Sequence, residues 1–374
     1  MTQPVKSLRV LHLTFNMGIG GTEQVIKQLV LGMAEENVAS EILCIDGYIG
    51  PVGEALQKIG VPVHQCQRKQ GFDWSLTQTI RKRLRIGQFD VIHCHQYTPW
   101  VYGWLGALGT NAKVVFTEHG RFHPDKYRRK ARLINPILAR FTPAIVAISE
   151  ATKKALIEYE YLPADKIQVI YNGIKPLNKD NEAVAGIRER LGIPTDAFVV
   201  GTVSRLDPVK NQSMMLKAFK LFLQKRPDSY LLMVGDGPDK DLLVNLVDEY
   251  EIGTRVIFTG FIDVPLNYLG AMDLFLLSSH TEGTSMTLLE SMSLQIPAVA
   301  TEVGGNPEII SQNVTGRLTK PGDETSFANA MAELAESSQL RNDMGEKASE
   351  KFAEKFSAKV MKQHYFAVYA NQKY

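Results

Sequence analysis

Two glutamates frame a short segment of the sequence, HTEGTSMTLLESM, which runs from His280 to Met292. Glu282 precedes a glycine and two hydroxyl residues, and Glu290 follows an apolar stretch. Two carboxylates at this spacing can serve as a catalytic acid and base, as two ligand contacts, or as ordinary charges on a helix surface. The local structure that the flanking residues predict favours the second use.

The apolar run DLFLLSS before the segment predicts a buried strand that ends near Ser279, and MTLLESMSL predicts a helix. Thr284 or Ser285 suits the N-cap position of that helix. Glu282 then lies in the strand–helix loop and Glu290 on the helix, among apolar neighbours that are unusual around a surface charge. Carboxylate oxygens accept hydrogen bonds from vicinal hydroxyls, so we expect the two glutamates to face one ligand.

A second segment with the same layout is VSRLDPVKNQ, which follows a predicted strand and precedes a helix that begins near Asn211. Arg205 and Lys210 would project at the end of the strand where ligands of parallel sheets bind. Two cations beside the free N–H groups of a helix N-terminus suit a diphosphate. A third strand–glycine–helix pattern, TEVGGNPEII, follows later in the chain.

A glycine-rich loop, FNMGIGGTEQV, follows the first predicted strand. Gly20 and Gly21 precede a helix whose predicted N-cap is Thr22. Glycines allow a ligand to approach the backbone, and a helix N-terminus favours a phosphate. The G-x-G-G spacing is not the dinucleotide fingerprint, which disfavours a nicotinamide oxidoreductase. A tight β–α turn without a ligand remains the alternative.

Three histidines lie at or near the ends of predicted strands. His119, in VVFTEHGRF, could donate to a sugar hydroxyl or stabilise developing charge, with a purely structural histidine as the alternative. His93 and His95 share one face if they lie on a strand, but no third ligand is evident, so a loop or an acceptor contact is favoured over a metal. With no D-x-D motif at a strand end, we expect no metal site.

Short apolar runs alternate with amphipathic helical stretches through the 374 residues, which predicts an α/β fold with doubly wound parallel sheets. The length suits two domains, and the polar, Gly- and Pro-containing stretch 172–183 suits a linker. We predict a first domain over 1–172 and a second over 173–354, with a cleft between them as the binding site.

Charge is uneven along the chain. Residues 1–171 carry a net charge of +7 and the remainder −5, and the total of +2 argues against a nucleic-acid binder. Two basic amphipathic stretches, 72–89 and 121–140, suit contact with an anionic membrane or acceptor, or simply solvated helix faces. Three scattered cysteines, no signal peptide and no apolar run of about 18 residues predict a cytoplasmic protein, with peripheral contact to the inner membrane as an option.

Taken together, these motifs resemble those of the retaining glycosyltransferases of the GT-B fold, family four. The similar segments are GIGGTE, TEHG, VIYNG, SRLDPVKN, EGTSMTLLE and GGNPEII, and they extend over nearly the whole chain. The resemblance implies two Rossmann-like domains that face each other across a cleft, with an acceptor-side first domain and a nucleotide-sugar donor domain second. It also implies that the final segment, 355–374, returns to the first domain as a helix.

The resemblance also implies a role for each matching residue of the second domain. Glu290 would hold the ribose hydroxyls, and Arg205 and Lys210 would hold the diphosphate and stabilise it as it leaves. Glu282 would address the donor sugar hydroxyls. Backbone N–H groups would assist it from three neighbouring residues, Gly283, Thr284 and Ser285.

In the first domain, His119 would reach the donor sugar, and Gly20 and Gly21 would let the backbone approach a phosphate or the acceptor. Thr284 and Ser285 stand where the family more often has an aromatic residue followed by glycine, so the motif does not name the donor sugar.

The implied activity is transfer of a sugar from a nucleotide-diphosphate sugar, with UDP as the implied nucleotide, to a polysaccharide or lipid-linked glycan with retention of configuration. No metal or other cofactor is expected. The alternatives on the same scaffold are a nucleotide-sugar epimerase, a phosphorylase, and a non-catalytic nucleotide-sugar-binding protein.

Overall fold

The computed structural model describes residues 7–120 and 131–370, and these form two compact units. One unit comprises Met1–Lys175 with Ser357–Tyr374, and the other comprises Pro176–Phe356. The division therefore falls three residues after the predicted boundary at 172 and two residues after the one at 354. Each unit has its own parallel sheet and its own hydrophobic core.

Strands and helices alternate along the first unit. Its strands are β1 Leu8–Thr14, β2 Val38–Cys44, β3 Val63–Gln65, β4 Val91–His95, β5 Lys113–Glu118, β6 Ala144–Ala147 and β7 Ile167–Val169. Its helices before the linker are α1 Gly21–Ala34, α2 Pro51–Lys58, α3 Trp74–Gly87, α4 Tyr97–Ala107, α5 Ala131–Arg140 and α6 Glu150–Glu160.

The strands of the first unit form a parallel sheet in the order β3-β2-β1-β4-β5-β6-β7. The order reverses between β1 and β4, and this switch point is where parallel sheets of this type bind ligands. Helices cover both faces of such a sheet, so the central strands are buried along their length, as in β4, where every residue is buried.

The second unit repeats the alternation. Its strands are β8 Val199–Val203, β9 Tyr230–Val234, β10 Val256–Gly260, β11 Leu274–Leu277, β12 Ala298–Thr301 and β13 Gly316–Thr319. Its helices are α7 Asn181–Arg190, α8 Gln212–Leu223, α9 Lys240–Glu249, α10 Leu266–Gly270, α11 Met286–Ser293, α12 Asn306–Ile309, α13 Glu324–Glu336 and α14 Ser338–Lys351. The parallel sheet order is β10-β9-β8-β11-β12-β13, with its switch point between β8 and β11.

A final helix, α15 Ala358–Ala370, belongs to the first unit. It packs on α1, and Lys362 forms ion pairs with Glu35 and Glu36 at 2.8 and 2.9 Å. Immediately before the helix, Ser357 pairs with Ile174 in an isolated bridge, and the Ala358 N–H donates to the Ile174 carbonyl at 2.7 Å. The helix is therefore fixed to the first unit along its length and at its start.

The architecture confirms the α/β prediction of two doubly wound, Rossmann-like halves. No helix in the described ranges is long and apolar enough to cross a membrane. The three cysteines are free. Of the predicted basic stretch 121–140, residues 121–130 lie outside the described part of the chain, and the rest forms α5.

Candidate functional site

Lys210 and Glu282 meet at the switch point of the second sheet. Lys210 follows β8 and Glu282 follows β11, and the Lys210 Nζ donates to Glu282 Oε1 at 2.6 Å. Ser279 donates its hydroxyl to the same oxygen at 2.6 Å. The Glu282 side chain is only 9% exposed, so the pair lies in a partly desolvated position where charge interactions are strengthened. Both of these hydrogen bonds use Oε1, which leaves Oε2 for a ligand hydroxyl.

The two loops that carry this pair are fixed to each other through the backbone. Ser278 donates to the carbonyls of Lys210 and Asn211, both at 2.9 Å, and the His280 N–H donates to the Val209 carbonyl at 2.8 Å. Lys210 and Glu282 are therefore positioned by one hydrogen-bonded assembly, which is how a preorganised binding site is built.

The glycine pair of the GGNPE segment supports the backbone of Glu282. The Gly305 N–H donates to the Glu282 carbonyl at 3.1 Å. Gly304 has a φ of +52°, and a Cβ on it would overlap the Glu282 backbone. Glycine is required here because the backbone is left-handed and in direct contact with the loop that positions Glu282.

Glu290 lies on α11, in the second turn of the helix, as predicted. Ser285 is the N-cap of this helix, and its hydroxyl accepts from the Leu288 N–H at 3.4 Å. Burial raises the pKa of Glu290 to about 7. A carboxylate that is costly to ionise in the unliganded protein is typical of a group that is held ready for a ligand.

Arg205 lies in the loop after β8 and is largely solvent-exposed, with 70% of its side chain accessible. It forms a loose ion pair with Asp207, at 3.7 Å between Nε and Oδ2. Arg205 is thus free to turn toward a ligand, whereas Lys210 is held by Glu282. The following helix, α8, begins after Asn211 as predicted, and no side chain caps it.

A glycine turn that the sequence analysis passed over supports this same loop. The Leu206 N–H donates to the Asp236 carbonyl at 3.0 Å, and a Cβ on Gly235 or Gly237 would overlap the Ser204 or Leu206 backbone. The sequence pattern that indicates this turn is GDGP, which follows the apolar run YLLMV. It indicates a close approach of two backbones beside Arg205.

In the first unit, the glycine loop after β1 leads directly into α1. Gly20 is the N-cap, and no side chain caps the helix, so the prediction that Thr22 caps it was wrong. Gly20 takes an extended conformation, φ −177°, and a Cβ on it would lie 2.5 Å from the Glu23 carboxylate. Gly21 is the first residue of α1. The helix therefore begins two residues earlier than predicted.

The histidines of the first unit form a cluster at its switch point. His93 and His95 lie within β4 and are fully buried, so the interpretation of this segment as a loop was wrong. His12, on β1, stands opposite His93 in the strand register and supplies the third imidazole that sequence reasoning missed. The signal for it is a histidine inside the otherwise apolar run RVLHLTF.

His119 follows β5 and joins the cluster. His95 Nδ1 lies 2.9 Å from His119 Nε2, and His95 Nε2 lies 3.0 Å from His12 Nδ1. Burial lowers the pKa of His12 and of His119 to about 3 and holds the pKa values of His93 and His95 well below the usual range. All four imidazoles are therefore neutral at pH 7.

Ring nitrogens of His12, His93 and His95 come within 4.8 Å of one another, which is close enough to raise the question of a metal. Both His93 nitrogens face hydroxyls, with Tyr369 at 2.6 Å and Thr117 at 2.7 Å. His12 and His95 face each other at hydrogen-bonding distance. This is the geometry of a hydrogen-bonded network, and a metal would have to displace several of its bonds.

Each unit thus gathers some of the predicted residues. In the second, Lys210 and Glu282 are in contact, with Arg205 in the loop of Lys210. In the first, His119 is joined to His95, while the glycine loop lies after the neighbouring strand β1.

Two protein-family models together match most of the chain. The model of the Glycosyltransferase Family 4 matches residues 19–176, and the model of the Glycosyl transferases group 1 matches residues 185–351. N-acetyl-alpha-D-glucosaminyl L-malate synthase of Bacillus anthracis is 29% identical over 304 residues, which cover 80% of this chain and 79% of the relative.

Two further relatives extend the match. UDP-Gal:alpha-D-GlcNAc-diphosphoundecaprenol alpha-1,3-galactosyltransferase of Escherichia coli is 29% identical over 270 residues, 69% of each chain. The crystal structure of Anabaena Alr3699/HepE in complex with UDP shares the fold with a TM-score of 0.85 at 23% identity, over 97% of this chain and 100% of that one. The protein is therefore a glycosyltransferase that belongs to family four and has the GT-B fold.

Proposed function

We propose that the protein transfers a sugar from a UDP-sugar to a polysaccharide or lipid-linked glycan, with retention of anomeric configuration. The observation that carries this proposal is the Lys210–Glu282 pair at the switch point of the second sheet, where a nucleotide-sugar diphosphate and its sugar require a cation and a carboxylate side by side. UDP is supported by the galactosyltransferase relative, whose name includes UDP-Gal, and by the structural neighbour solved with UDP.

The donor contacts follow from the chemistry of each side chain. Arg205, exposed and loosely paired, and Lys210 would bind the diphosphate, with the uncapped N-terminus of α8 next in sequence. Glu290 would accept hydrogen bonds from the ribose hydroxyls. Glu282 would use Oε2 for a sugar hydroxyl while Oε1 keeps Lys210 in place. Three neighbours of Glu282 would add backbone N–H groups: Gly283, Thr284 and Ser285.

The chemical step would be departure of the diphosphate, whose growing negative charge Lys210 and Arg205 neutralise. These cations would take the part that a divalent ion plays in other sugar-transfer sites, so we propose that transfer needs no metal. Retention would follow from attack on the face that the diphosphate leaves, with a donor phosphate oxygen taking the acceptor proton. This scheme requires no covalent nucleophile from the protein.

For the first unit we propose the roles that the family resemblance suggests. His119 would contact the donor sugar, and Gly20 and Gly21 would allow a phosphate or the acceptor to approach the backbone at the start of α1. Because Gly20 has no side chain, the space beside the Glu23 carboxylate stays open for such an approach.

We further propose that α5 brings the protein to an anionic membrane surface that holds a lipid-linked acceptor. Leu133 and Ile137 on α5 and Phe141 directly after it recur every four residues and are 78%, 57% and 61% exposed, so they form an apolar stripe. Arg132 and Arg140 lie at its two ends. An exposed apolar stripe flanked by cations suits an interfacial helix.

The transfer itself is tested by incubating the protein with a UDP-sugar and an undecaprenyl-diphosphate-linked sugar acceptor. Formation of a glycosylated lipid with the donor's anomeric configuration is expected, and an inverted product would overturn the retaining mechanism. Donor alone serves as the control, because an epimer produced without acceptor would favour the epimerase alternative.

Membrane contact is tested by sedimentation with vesicles of phosphatidylglycerol and phosphatidylcholine. Binding that requires the anionic lipid and weakens in salt is expected, since electrostatic attraction at a membrane is screened. Leu133→Ser together with Ile137→Ser should abolish it, and Leu242→Ser, at an exposed leucine of the second unit, should not. Equal binding by all three proteins would contradict the role of α5.

A further inference from the structure

Three imidazoles of the first unit are linked end to end. The order is His12 Nδ1 to His95 Nε2, at 3.0 Å, and His95 Nδ1 to His119 Nε2, at 2.9 Å. The two nitrogens left over, His12 Nε2 and His119 Nδ1, are buried and have no hydrogen-bond partner in the described part of the chain. Each ring nitrogen of these three histidines therefore either takes part in one of the two hydrogen bonds or lies at one end of the three-imidazole chain.

Each link requires one N–H and one lone pair, and a neutral imidazole has one of each. If His12 carries its proton on Nδ1, His95 must accept at Nε2 and carry its own proton on Nδ1. His119 must then accept at Nε2 and carry its proton on Nδ1. The reverse state has all three protons on Nε2, and any mixture places two protons or two lone pairs face to face.

The two end nitrogens of the three-imidazole chain favour one of these two tautomeric states. His12 is wholly buried, and an N–H at its Nε2 would be a buried donor without an acceptor, which is more costly than an unpaired lone pair. His119 follows β5 and is only partly buried as a residue, so its Nδ1, although buried and unpaired in the unliganded protein, is the end that a ligand can satisfy. The state with protons on Nδ1 leaves a donor at His119 and only a lone pair at His12.

We infer that His12 and His95 are positioning residues that fix the tautomer of His119, so that His119 presents an Nδ1–H donor to the substrate. This rests on the proposed role of His119 as a contact to the donor sugar. The coupling runs through a chain of neutral groups, so the protein selects a donor at His119 without placing a charge there.

Neighbouring groups do not account for the tautomer of His119. His93 lies beside His95 with ring centroids 4.0 Å apart and ring planes tilted by 38°, but both its nitrogens bond to hydroxyls, and Thr117 in turn bonds to Tyr365 at 3.1 Å. This second series of hydrogen bonds runs beside the three-imidazole chain, and none of these bonds joins the two. It therefore supplies a matched control, because Tyr369→Phe removes one bond of the cluster and leaves the three-imidazole chain intact.

The tautomers can be measured by long-range ¹⁵N–¹H correlation spectra of the imidazole nitrogens, with the eight histidines assigned by substitution. Protons on Nδ1 of His12, His95 and His119 are expected at pH 7. In His12→Leu the His119 signals should move toward a mixture of tautomers. In His12→Asn, whose amide N–H can still donate to His95, and in Tyr369→Phe they should stay as in the parent.

Kinetics provides the second readout. His12→Leu should lower kcat roughly tenfold at little change in KM for the donor, and His12→Asn should recover most of it, since groups that orient a catalytic histidine typically act on turnover. A mixed set of tautomers in the parent, or a His119 tautomer that does not respond to His12→Leu, overturns the inference. Coupled tautomers together with unchanged kinetics in His119→Leu would instead refute the proposed role of His119.

Discussion

The two switch points of this protein use the same position in the same kind of sheet for opposite chemistry. In the first unit, β1, β4 and the end of β5 bring together four neutral histidines, of which three are buried and His119 is partly buried. In the second, β8 and β11 bring together a lysine and a glutamate, with a second glutamate on the next helix. The fold thus determines where side chains meet, and the residue types at a few strand ends determine whether that site is charged or neutral.

The difference has a physical consequence, because buried neutral bases and buried acids respond to pH with opposite sign. A histidine whose pKa is lowered by burial favours the folded state only while it remains unprotonated. A glutamate whose pKa is raised by burial favours the folded state only while it is protonated. The following experiments, from the largest expected effect to the smallest, test whether the two regions really differ in this way.

Acid should weaken the first unit. In the unfolded chain a histidine takes up a proton near pH 6.5, whereas His12 and His119 in the folded unit do so only near pH 3. The unfolded state therefore binds more protons below pH 6.5, and the free energy of unfolding falls by up to about 1.4 kcal/mol per pH unit for each such histidine.

This can be measured by urea unfolding at pH 7 and pH 5 with tryptophan fluorescence, because all three tryptophans, Trp74, Trp100 and Trp104, lie in the first unit. His12→Leu, which removes one titrating group, should have a smaller pH dependence than the parent. An unfolding free energy that is the same at both pH values would show that the cluster is not neutral by burial.

Removal of the Lys210 charge should lower the rate of sugar transfer. Lys210→Ala is expected to lower kcat by roughly 100-fold or more, because one fewer cation neutralises the leaving diphosphate. Steady-state kinetics with a UDP-sugar measures this. The control is Lys217→Ala on α8, the helix that follows the Lys210 loop, where the lysine is 55% exposed and pairs with Glu324 at 3.9 Å. Similar losses in both variants would argue against a specific role for Lys210.

Glu290→Gln should separate stability from binding. Burial raises the pKa of Glu290 from 4.5 to about 7, so the unfolded chain releases this proton first and stability falls as the pH rises from about 4.5 to about 7. At pH 8 the substitution should raise the free energy of unfolding by about 1–2 kcal/mol, and the gain should be much smaller at pH 5. It should also weaken UDP binding roughly tenfold at pH 8, because an amide accepts fewer hydroxyl bonds than a carboxylate.

Calorimetry gives both quantities for Glu290→Gln, as a melting transition and as a titration with UDP. The exposed Glu249 at the end of α9 provides the control, and Glu249→Gln should change neither. A destabilised Glu290→Gln protein at pH 8 would mean that the carboxylate is not under strain in the unliganded site.

The smallest expected effect is that of metal removal. If Lys210 and Arg205 supply the positive charge at the diphosphate, treatment with EDTA should change the transfer rate by less than about twofold. Activity assays before and after EDTA, followed by addition of Mg²⁺ or Mn²⁺, measure this. Loss of activity that either ion restores would show that the cations of the second switch point are insufficient.

Much of the second switch point could be predicted from the sequence. Lys210 and Glu282 each follow an apolar run and precede a helix, so a parallel sheet places both at its ligand-binding edge whatever the strand order. Ser285 as N-cap and the position of Glu290 on α11 depend only on local chemistry, and the structure has both as predicted. That Glu282 and Lys210 bond directly could not be predicted, because it depends on β8 and β11 being neighbours.

The first switch point was harder for the same reason. His12 is about 80 residues from His95 in sequence, and the pairing of β1 with β4 that joins them leaves no periodic signal in either strand. The histidine cluster depends on a tertiary contact, the pairing of β1 with β4, which local preferences do not encode. The cap of α1 was a local error, because propensity favours threonine as an N-cap whereas the helix begins after Gly20 without a side-chain cap.

The bridge between Ile174 and Ser357 makes the second unit an insertion in the first. The chain leaves the first unit at one side of this bridge and re-enters it at the other, so the two cut ends of the first unit are already adjacent. A few flexible residues in place of 176–356 would close the first unit into a continuous chain with α15 still packed on α1. The second unit is therefore an inserted domain, and it could be exchanged as one continuous segment between these two residues.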